Sequence, residues 1–436
     1  MGRPVSYAGF LARKTAIRPA VGIELDYVDP SLFPHQVEAV RWAAARGRAA
    51  TFLDTGLGKT RIQLAWADAM RQGQRALIVC PLSIARQTIR EAHAIGLDAT
   101  YVRHHDDVGG PGIYVTNYEM QHQFTPADFA AVVLDESSIL KNHEGRTRTQ
   151  LIDRWGTVPY RLACTATPAP NDHTELANHA EFLGAMSRVE MLAAYFVHDD
   201  DGWRLKGHAG PAMYEWMSSW ALAARRPSDI TGDTRDDEQY QLPELRIHGD
   251  VVGGVEAPEG QLFATAIGGV GGRARVRKAT VEARVERCAE LLDHDRPAIA
   301  WCGLNDEAGR VTALVDGAEN LHGTLTPERK VEIIEAFLDG SIRVLVSKPS
   351  IAGFGLNLQH AADQVFVGIG DSYESYYQAI RRSWRFGQTQ PVDVHVVVSE
   401  LEADIVQNVK RKERAATDMT EQLVTALQRN RKELTR

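Results

Sequence analysis

The segment Leu53-Asp-Thr-Gly-Leu-Gly-Lys-Thr60 constrains this chain more than any other. It follows a short apolar run, Ala49 to Leu53, and precedes Arg61 to Gln72, where Ile62, Leu64, Ala65 and Met70 recur at helical spacing. A strand, a glycine turn and a helix in that order put a helix start at a strand end. Gly56 and Gly58 allow backbone N–H groups to approach phosphate oxygens, Lys59 supplies positive charge, and Thr60 offers a hydroxyl to Mg²⁺. Leu53 stands where the full phosphate-loop pattern has its first glycine. The segment predicts a site for a nucleoside triphosphate.

The same alternation continues along the chain. Ala76 to Cys80, closed by Pro81, reads as a strand, with a helix to about Ala94. Gly112 to Val115, Ala131 to Leu134 and Arg161 to Cys164 are further strands, the last ending on Thr165-Ala-Thr-Pro168. The pattern restarts with strands at Ala298 to Cys302, Arg343 to Val346, Gln364 to Val367 and Val392 to Val398. Helices are predicted over Pro327 to Asp339 and Tyr373 to Trp384, with Pro327 suited to a first turn. Short buried strands separated by helices predict parallel, doubly wound sheets, with ligands at the strand ends. Between about 185 and 275 the alternation stops. Trp203, Trp216 and Trp220 lie there, with acidic runs Asp199 to Asp201 and Asp236 to Glu238 and a break at Gly268 to Gly272. These tryptophans read as core or as stacking platforms, and core is the commoner fate. From about 403 a charged helix carries Ile405, Val409, Met419, Leu423 and Leu427.

At 436 residues, two or three domains are expected. The 44% hydrophobic and 24% charged content is that of a globular protein. No apolar run reaches the roughly 18 residues of a membrane span, and Arg13 and Lys14 interrupt any signal-peptide core, so a cytoplasmic protein is expected. Cys80, Cys164, Cys288 and Cys302 are scattered and predict buried free thiols. His104, His105, His122 and His143 lack metal-ligand spacing. The net charge of −8 leaves room for local basic surface at Arg3 to Arg18, Arg273 to Arg287 and Lys410 to Arg436, or for solvated helix faces there.

Asp135-Glu136 directly follows the apolar Val132-Val-Leu134. Alone, such a pair is an ordinary surface feature. Delivered by a strand to the edge that carries the phosphate loop, Asp135 is placed to hold Mg²⁺ and Glu136 to orient or deprotonate water. Arg382 and Arg385 are three apart on the predicted helix and share a face, either a solvated one or one that meets developing negative charge. Gln36, in Leu32-Phe-Pro-His-Gln36, is a polar residue at a helix start or a reader of an adenine edge.

In order, these segments resemble the superfamily 2 helicase-like ATPases, in the small phage and bacterial form of the Swi/Snf-like branch. The resemblance runs from about Leu32 to Val398. Leu32 to Gln36 is similar to the adenine motif and Asp54 to Thr60 to the phosphate loop. Ile78 to Ser83 and Thr116-Asn-Tyr-Glu119 resemble motifs Ia and Ib, Asp135-Glu-Ser-Ser138 motif II, and Thr165 to Asn171 motif III. Ala224-Arg-Arg226 with Leu242-Pro-Glu244 resembles the segment leading out of the first lobe. Ile299 to Cys302 with Leu321-His-Gly323 covers motif IV, Ser350 to Leu358 motif V, and Gln378 to Gln388 motif VI. Ser138 stands where the family has histidine.

The resemblance implies two tandem RecA-like α/β lobes with a mostly helical insert. It divides the chain into an extension (1–20), a first lobe (21–184), a connector (185–275), a second lobe (276–402) and a tail (403–436). It implies ATP and Mg²⁺ as cofactors. Gln36, Thr55, Gly56, Leu57, Gly58, Lys59, Thr60, Gly355 and Gln388 would contact ATP, and Thr60 and Asp135 would hold the metal. Lys59, Asp135, Glu136, Arg382 and Arg385 would carry the chemistry, and Ser138, Thr165 and Thr167 would couple it to movement. Pro81, Ser83, Thr116, Asn117, His322, Gly323 and Lys348 would contact nucleic acid. The leading expectation is a monomeric, DNA-stimulated ATPase translocating on double-stranded DNA. A strand-separating helicase on DNA or RNA is an alternative. So is an ATP-switched clamp or recruitment module for phage replication, recombination or defence, docking a partner protein through its tail.

Overall fold

The computed structural model describes residues 19–200, 202–253, 279–352, 357–370, 372–399 and 403–434. The basic run Arg3 to Arg18, the Gly268 to Gly272 break and Gly355 lie outside them. Described residues up to Tyr240, with those from Ala415 onward, form one compact unit, and Gln241–Arg414 form a second.

The first unit runs α1 (Pro34–Arg46), β1 (Arg48–Leu53), α2 (Lys59–Met70), β2 (Arg75–Cys80), α3 (Leu82–Ala94), β3 (Ala99–Tyr101), β4 (Gly112–Asn117), β5 (Ala131–Asp135) and β6 (Tyr160–Thr165). It continues with α4 (Leu176–Phe182), α5 (Arg188–Tyr195), β7 (Phe196–Asp199), β8 (Gly202–Leu205), α6 (Gly210–Met217) and β9 (Ala221–Ala224). Its main sheet has the order β3-β4-β2-β5-β6-β1-β9, and every pairing is parallel. All strand carboxyl ends therefore meet one edge. Both sheet faces are covered, so successive residues of one strand enter different cores. Ala50, Phe52, Leu77, Val79, Val132 and Leu134 face one core, while Ala49, Ala76, Ile78, Val133 and Leu162 face the other. Strands β7 and β8 form a separate antiparallel pair. Trp216 and Trp220 are buried in the first core, whereas Trp203 on β8 is 40% exposed.

The second unit contains β10 (Leu245–Val252), α7 (Val281–Leu291), β11 (Ala298–Cys302), α8 (Asn305–Leu314), β12 (Ala318–Leu321), α9 (Pro327–Leu338), β13 (Val344–Ser347), β14 (Asp363–Val367), α10 (Tyr373–Ile380) and β15 (Val392–Ser399). Its six strands are all parallel, in the order β10-β15-β14-β11-β13-β12. Helices α7 and α8 cover one face through Val285, Cys288, Ala308 and Val311. On the other, the Tyr376 ring of α10 meets Phe366 of β14 at 5.0 Å.

Two stretches differ from their sequence reading. The region 185–275 contributes β9 to the first sheet and β10 to the second. The helix predicted over Tyr373 to Trp384 stops at Ile380. Beyond it the N–H groups of Arg382 and Ser383 reach back only three residues, to Ala379 and Ile380. Leu358 N–H takes the Arg382 carbonyl at 3.0 Å, which removes it from any helical ladder. Arg382 and Arg385 are thus placed by turns, not by one helix face.

The charged helix α11 (Ala403–Leu434) forms as predicted. Its residues Met419, Leu423, Val424 and Ala426 join the first core. All four cysteines are buried, and no disulfide joins them. Among the described residues no helix is long and apolar enough to cross a membrane.

Candidate functional site

The phosphate loop closes β1 and opens α2. Gly56 and Gly58 hold φ of +92° and +78°, values that disfavour any residue with a side chain. Gly58 is also the N-cap of α2, and no side chain caps that end, which leaves the partial positive charge of the helix start for an anion. A Cβ on Gly58 would collide with Nε2 of Gln36. Gln36 is buried, donates to Leu57 O at 3.4 Å and accepts the Phe33 N–H at 3.1 Å. His35 Nε2 lies 3.0 Å from the same Leu57 carbonyl. The loop is thus packed directly on the segment that sequence alone had linked to it only by resemblance.

Lys59 Nζ donates to the carbonyls of Leu53 (2.9 Å) and Asp54 (3.3 Å), arching over its own loop. Burial pushes its pKa below the usual lysine value, and the charges of Glu136, Asp54 and Asp135 oppose that shift. Those carboxylates therefore face the ammonium closely enough to be felt. Thr55 N–H donates to Asp54 Oδ1 at 2.6 Å, and Asp54 N–H to Ala224 O of β9 at 2.9 Å.

Asp135 ends β5 and is 4% exposed. Its Oδ1 accepts Gln63 Nε2 at 2.6 Å and the Glu136 N–H at 3.0 Å. Its carbonyl accepts the Tyr118 hydroxyl at 2.6 Å. Glu136 is left-handed, with φ 54° and ψ 52°, rare for a residue with a long side chain. Strand β6 lies between β1 and β5 and delivers Thr165, whose hydroxyl is 3.5 Å from Glu136 Oε2 and accepts the Thr167 N–H at 3.1 Å. Ser138 is buried in the 3-10 turn Ser137–Lys141.

This donor set fits a magnesium nucleotide: a glycine cradle at a helix start, a lysine beside it, and a buried carboxylate with Thr60 on the facing helix turn. Gln63 and Tyr118 escaped sequence reasoning. Gln63 had a signal, since it lies one turn beyond Lys59 and faces the same way.

Other predicted positions lie apart from this cluster within the first unit. Pro81 is the N-cap of α3, with Ser83 exposed beyond it. Thr116 is wholly buried, and Asn117 binds Tyr101 Oη at 2.9 Å and Met120 N–H at 2.9 Å. In the second unit, Arg382 Nε donates to Gln378 O at 3.2 Å. The Gln388 amide is occupied by its own chain, donating to Gln359 O and accepting the N–H groups of Thr389 and Gln390. His322 Nδ1 is 2.8 Å from Thr324 Oγ1, Gly323 O accepts Lys330 Nζ at 2.9 Å, and the Lys348 carbonyl starts the turn to Ile351.

Residues 284–387 match the helicase conserved C-terminal domain. The TATA-binding protein-associated factor BTAF1 of Arabidopsis thaliana is 37% identical over 79 residues, covering 18% of this chain and 4% of that protein. A SWI/SNF-related matrix-associated actin-dependent regulator of chromatin subfamily A-like protein 1 homolog of Caenorhabditis elegans is 24% identical over 431 residues, covering 87% of this chain and 61% of the relative. The chain thus spans less than two thirds of each relative's length. The solved Sulfolobus solfataricus SWI2/SNF2 ATPase core in complex with dsDNA aligns at a TM-score of 0.44 and 19% identity, over 92% of this chain and 95% of that one. Residues 284–387 are thus similar to a helicase C-terminal domain, and most of the chain is similar to a SWI/SNF-related relative.

Proposed function

We propose that the chain is an ATP-driven motor that moves along duplex DNA, hydrolysing ATP to ADP and phosphate. One arrangement carries this reading. Lys59, Asp135 and Glu136 stand at the same edge of one parallel sheet, on strands flanking β6. Lys59, bonded here to the Leu53 and Asp54 carbonyls, would turn to phosphate oxygens. Thr60 and Asp135 would hold Mg²⁺, which would neutralise phosphate charge. Glu136, steadied by Thr165, orients the attacking water. Gln36, packed on Gly58, ties adenine recognition to the phosphate loop.

The roles of Arg382, Arg385, Gly355 and Gln388 toward ATP rest on resemblance to the family. So do those of Pro81, Ser83, Thr116, Asn117, His322, Gly323 and Lys348 toward DNA, and of Ser138 and Thr167 in coupling. Arg385→Ala is expected to lower kcat with ATP binding retained, as loss of a charge-stabilising arginine does.

The test is ATP hydrolysis measured alone and with duplex DNA, single strands and RNA. Duplex DNA is expected to stimulate most. No stimulation by any nucleic acid would sink the motor reading. Lys59→Ala is expected to lose turnover with an unchanged melting temperature; retained turnover refutes the site.

A further inference from the structure

Helix α4 grips the turn behind Asp135 and Glu136 at two successive positions. His179 Nε2 lies 3.1 Å from Ser137 Oγ. Asn178 Nδ2 donates to Leu140 O at 2.7 Å and to Lys141 O at 3.3 Å. Ser137, Asn178 and His179 are all wholly buried. Around His179 the setting is apolar: the Phe52 ring meets it edge-on at 5.3 Å, and Ala177, Ala180 and Phe182 of the same helix lie in the first core. Burial pushes its pKa down to about 4, so the ring is neutral at working pH. Packing alone would favour a leucine here, since a buried polar ring needs a partner to offset its desolvation.

The partner belongs to a strained turn. Left-handed backbone is costly for a residue such as Glu136 and persists only where its surroundings over-determine it. Helix α4 is also tied to the loop after Thr165, because Glu175, one residue before it, accepts the Asn171 N–H at 3.1 Å and Nδ2 at 2.9 Å. One helix thus joins the two loops that flank the water-orienting carboxylate.

We infer that His179 is a positioning residue for ATP hydrolysis: through Ser137 it holds Glu136 in its left-handed conformation and so fixes where that carboxylate points. The inference rests on the ATPase reading above. His179 acts through the turn, by way of Ser137.

The experiment compares wild type with His179→Leu, His179→Gln and Ser137→Ala, each checked for its melting temperature. Steady-state kcat and KM for ATP are measured at saturating duplex DNA. His179→Leu is expected to lower kcat about tenfold, with KM within about twofold. Ser137→Ala is expected to match it, the double variant to be no worse than either single, and His179→Gln, whose amide reaches the same hydroxyl, to retain most of kcat. A melting temperature that falls while kcat holds, or a rise in KM alone, overturns the inference, as does a glutamine variant as slow as the leucine one. Should His179→Leu not fold, Ser137→Ala carries the same reading. A wild type without ATPase activity overturns the ATPase reading itself, and the assigned role falls with it.

Discussion

Gln63 Nε2 donates to Asp135 Oδ1 across 2.6 Å in a buried setting, so the helix that begins at the phosphate loop also holds the carboxylate assigned to Mg²⁺. A hydrogen bond to a charged group is worth about 1.5–3 kcal/mol. Gln63→Leu fills similar volume without the donor. Its expected effect is a severalfold rise in the Mg²⁺ concentration giving half-maximal ATPase. A Mg²⁺ titration checks this, and an unchanged midpoint would mean that Gln63 only packs.

His179 makes stability depend on pH. Its folded pKa of about 4 lies below the ordinary 6.5, so the unfolded chain binds a proton that the folded one rejects. Its contribution is fully present above about pH 6.5 and is lost as pH falls toward 4, by up to about 3 kcal/mol. Urea midpoints between pH 4 and 7 should fall toward acid in the wild type and flatten in His179→Leu. Parallel curves would refute the assignment.

In the second unit Arg284 and Glu307 form a fully buried pair, with Nη1 to Oε1 at 2.6 Å. Arg284 also donates to Val367 O, and Glu307 accepts the N–H groups of Gly303 and Leu304. Removing one partner strands a charge, so Arg284→Met should destabilise by about 3–5 kcal/mol. Arg284→Met with Glu307→Gln should recover part of that loss. Calorimetry of Arg284→Met, Glu307→Gln and the double variant decides it; additive losses would mean that the two residues act independently.

Leu423 of α11 is 1% exposed within the core that includes Trp216 and Trp220. Leu423→Ala is expected to cost about 2–5 kcal/mol, read as a lower melting temperature. A wild-type melting curve would place this part of the helix outside the core. Tail deletion would be a poor probe of partner docking, because it uncovers the core as well.

Much of the fold is legible because buried parallel strands are continuous apolar runs. Ala76 to Cys80 and Ala131 to Leu134 announce themselves this way. Strand β9 does not: Ala-Leu-Ala-Ala has no β-branched residue, and only its place beside β1 makes it a strand. Strand β10 is hidden by its polar residues. Arg246 and His248 pair with Asp393, and Asp250 with His395, complementarity that shows only once β15 lies alongside. At the site, Asp135 and Glu136 are readable because they stand at the end of an apolar strand, and Lys59 because the glycine loop before it follows one. His179 is not, because its meaning comes from Ser137, distant in sequence and met only through packing.

Helix α11 also bears on the order in which the protein takes shape. Synthesis delivers β1 to β9 early, then the whole second unit, and only afterwards the residues Met419 to Ala426 that complete the first core. Domains generally fold as they emerge, amino-terminal first. Here the first unit is completed only after the second has been made, and until then the apolar residues that pack against Met419, Leu423, Val424 and Ala426 stay uncovered.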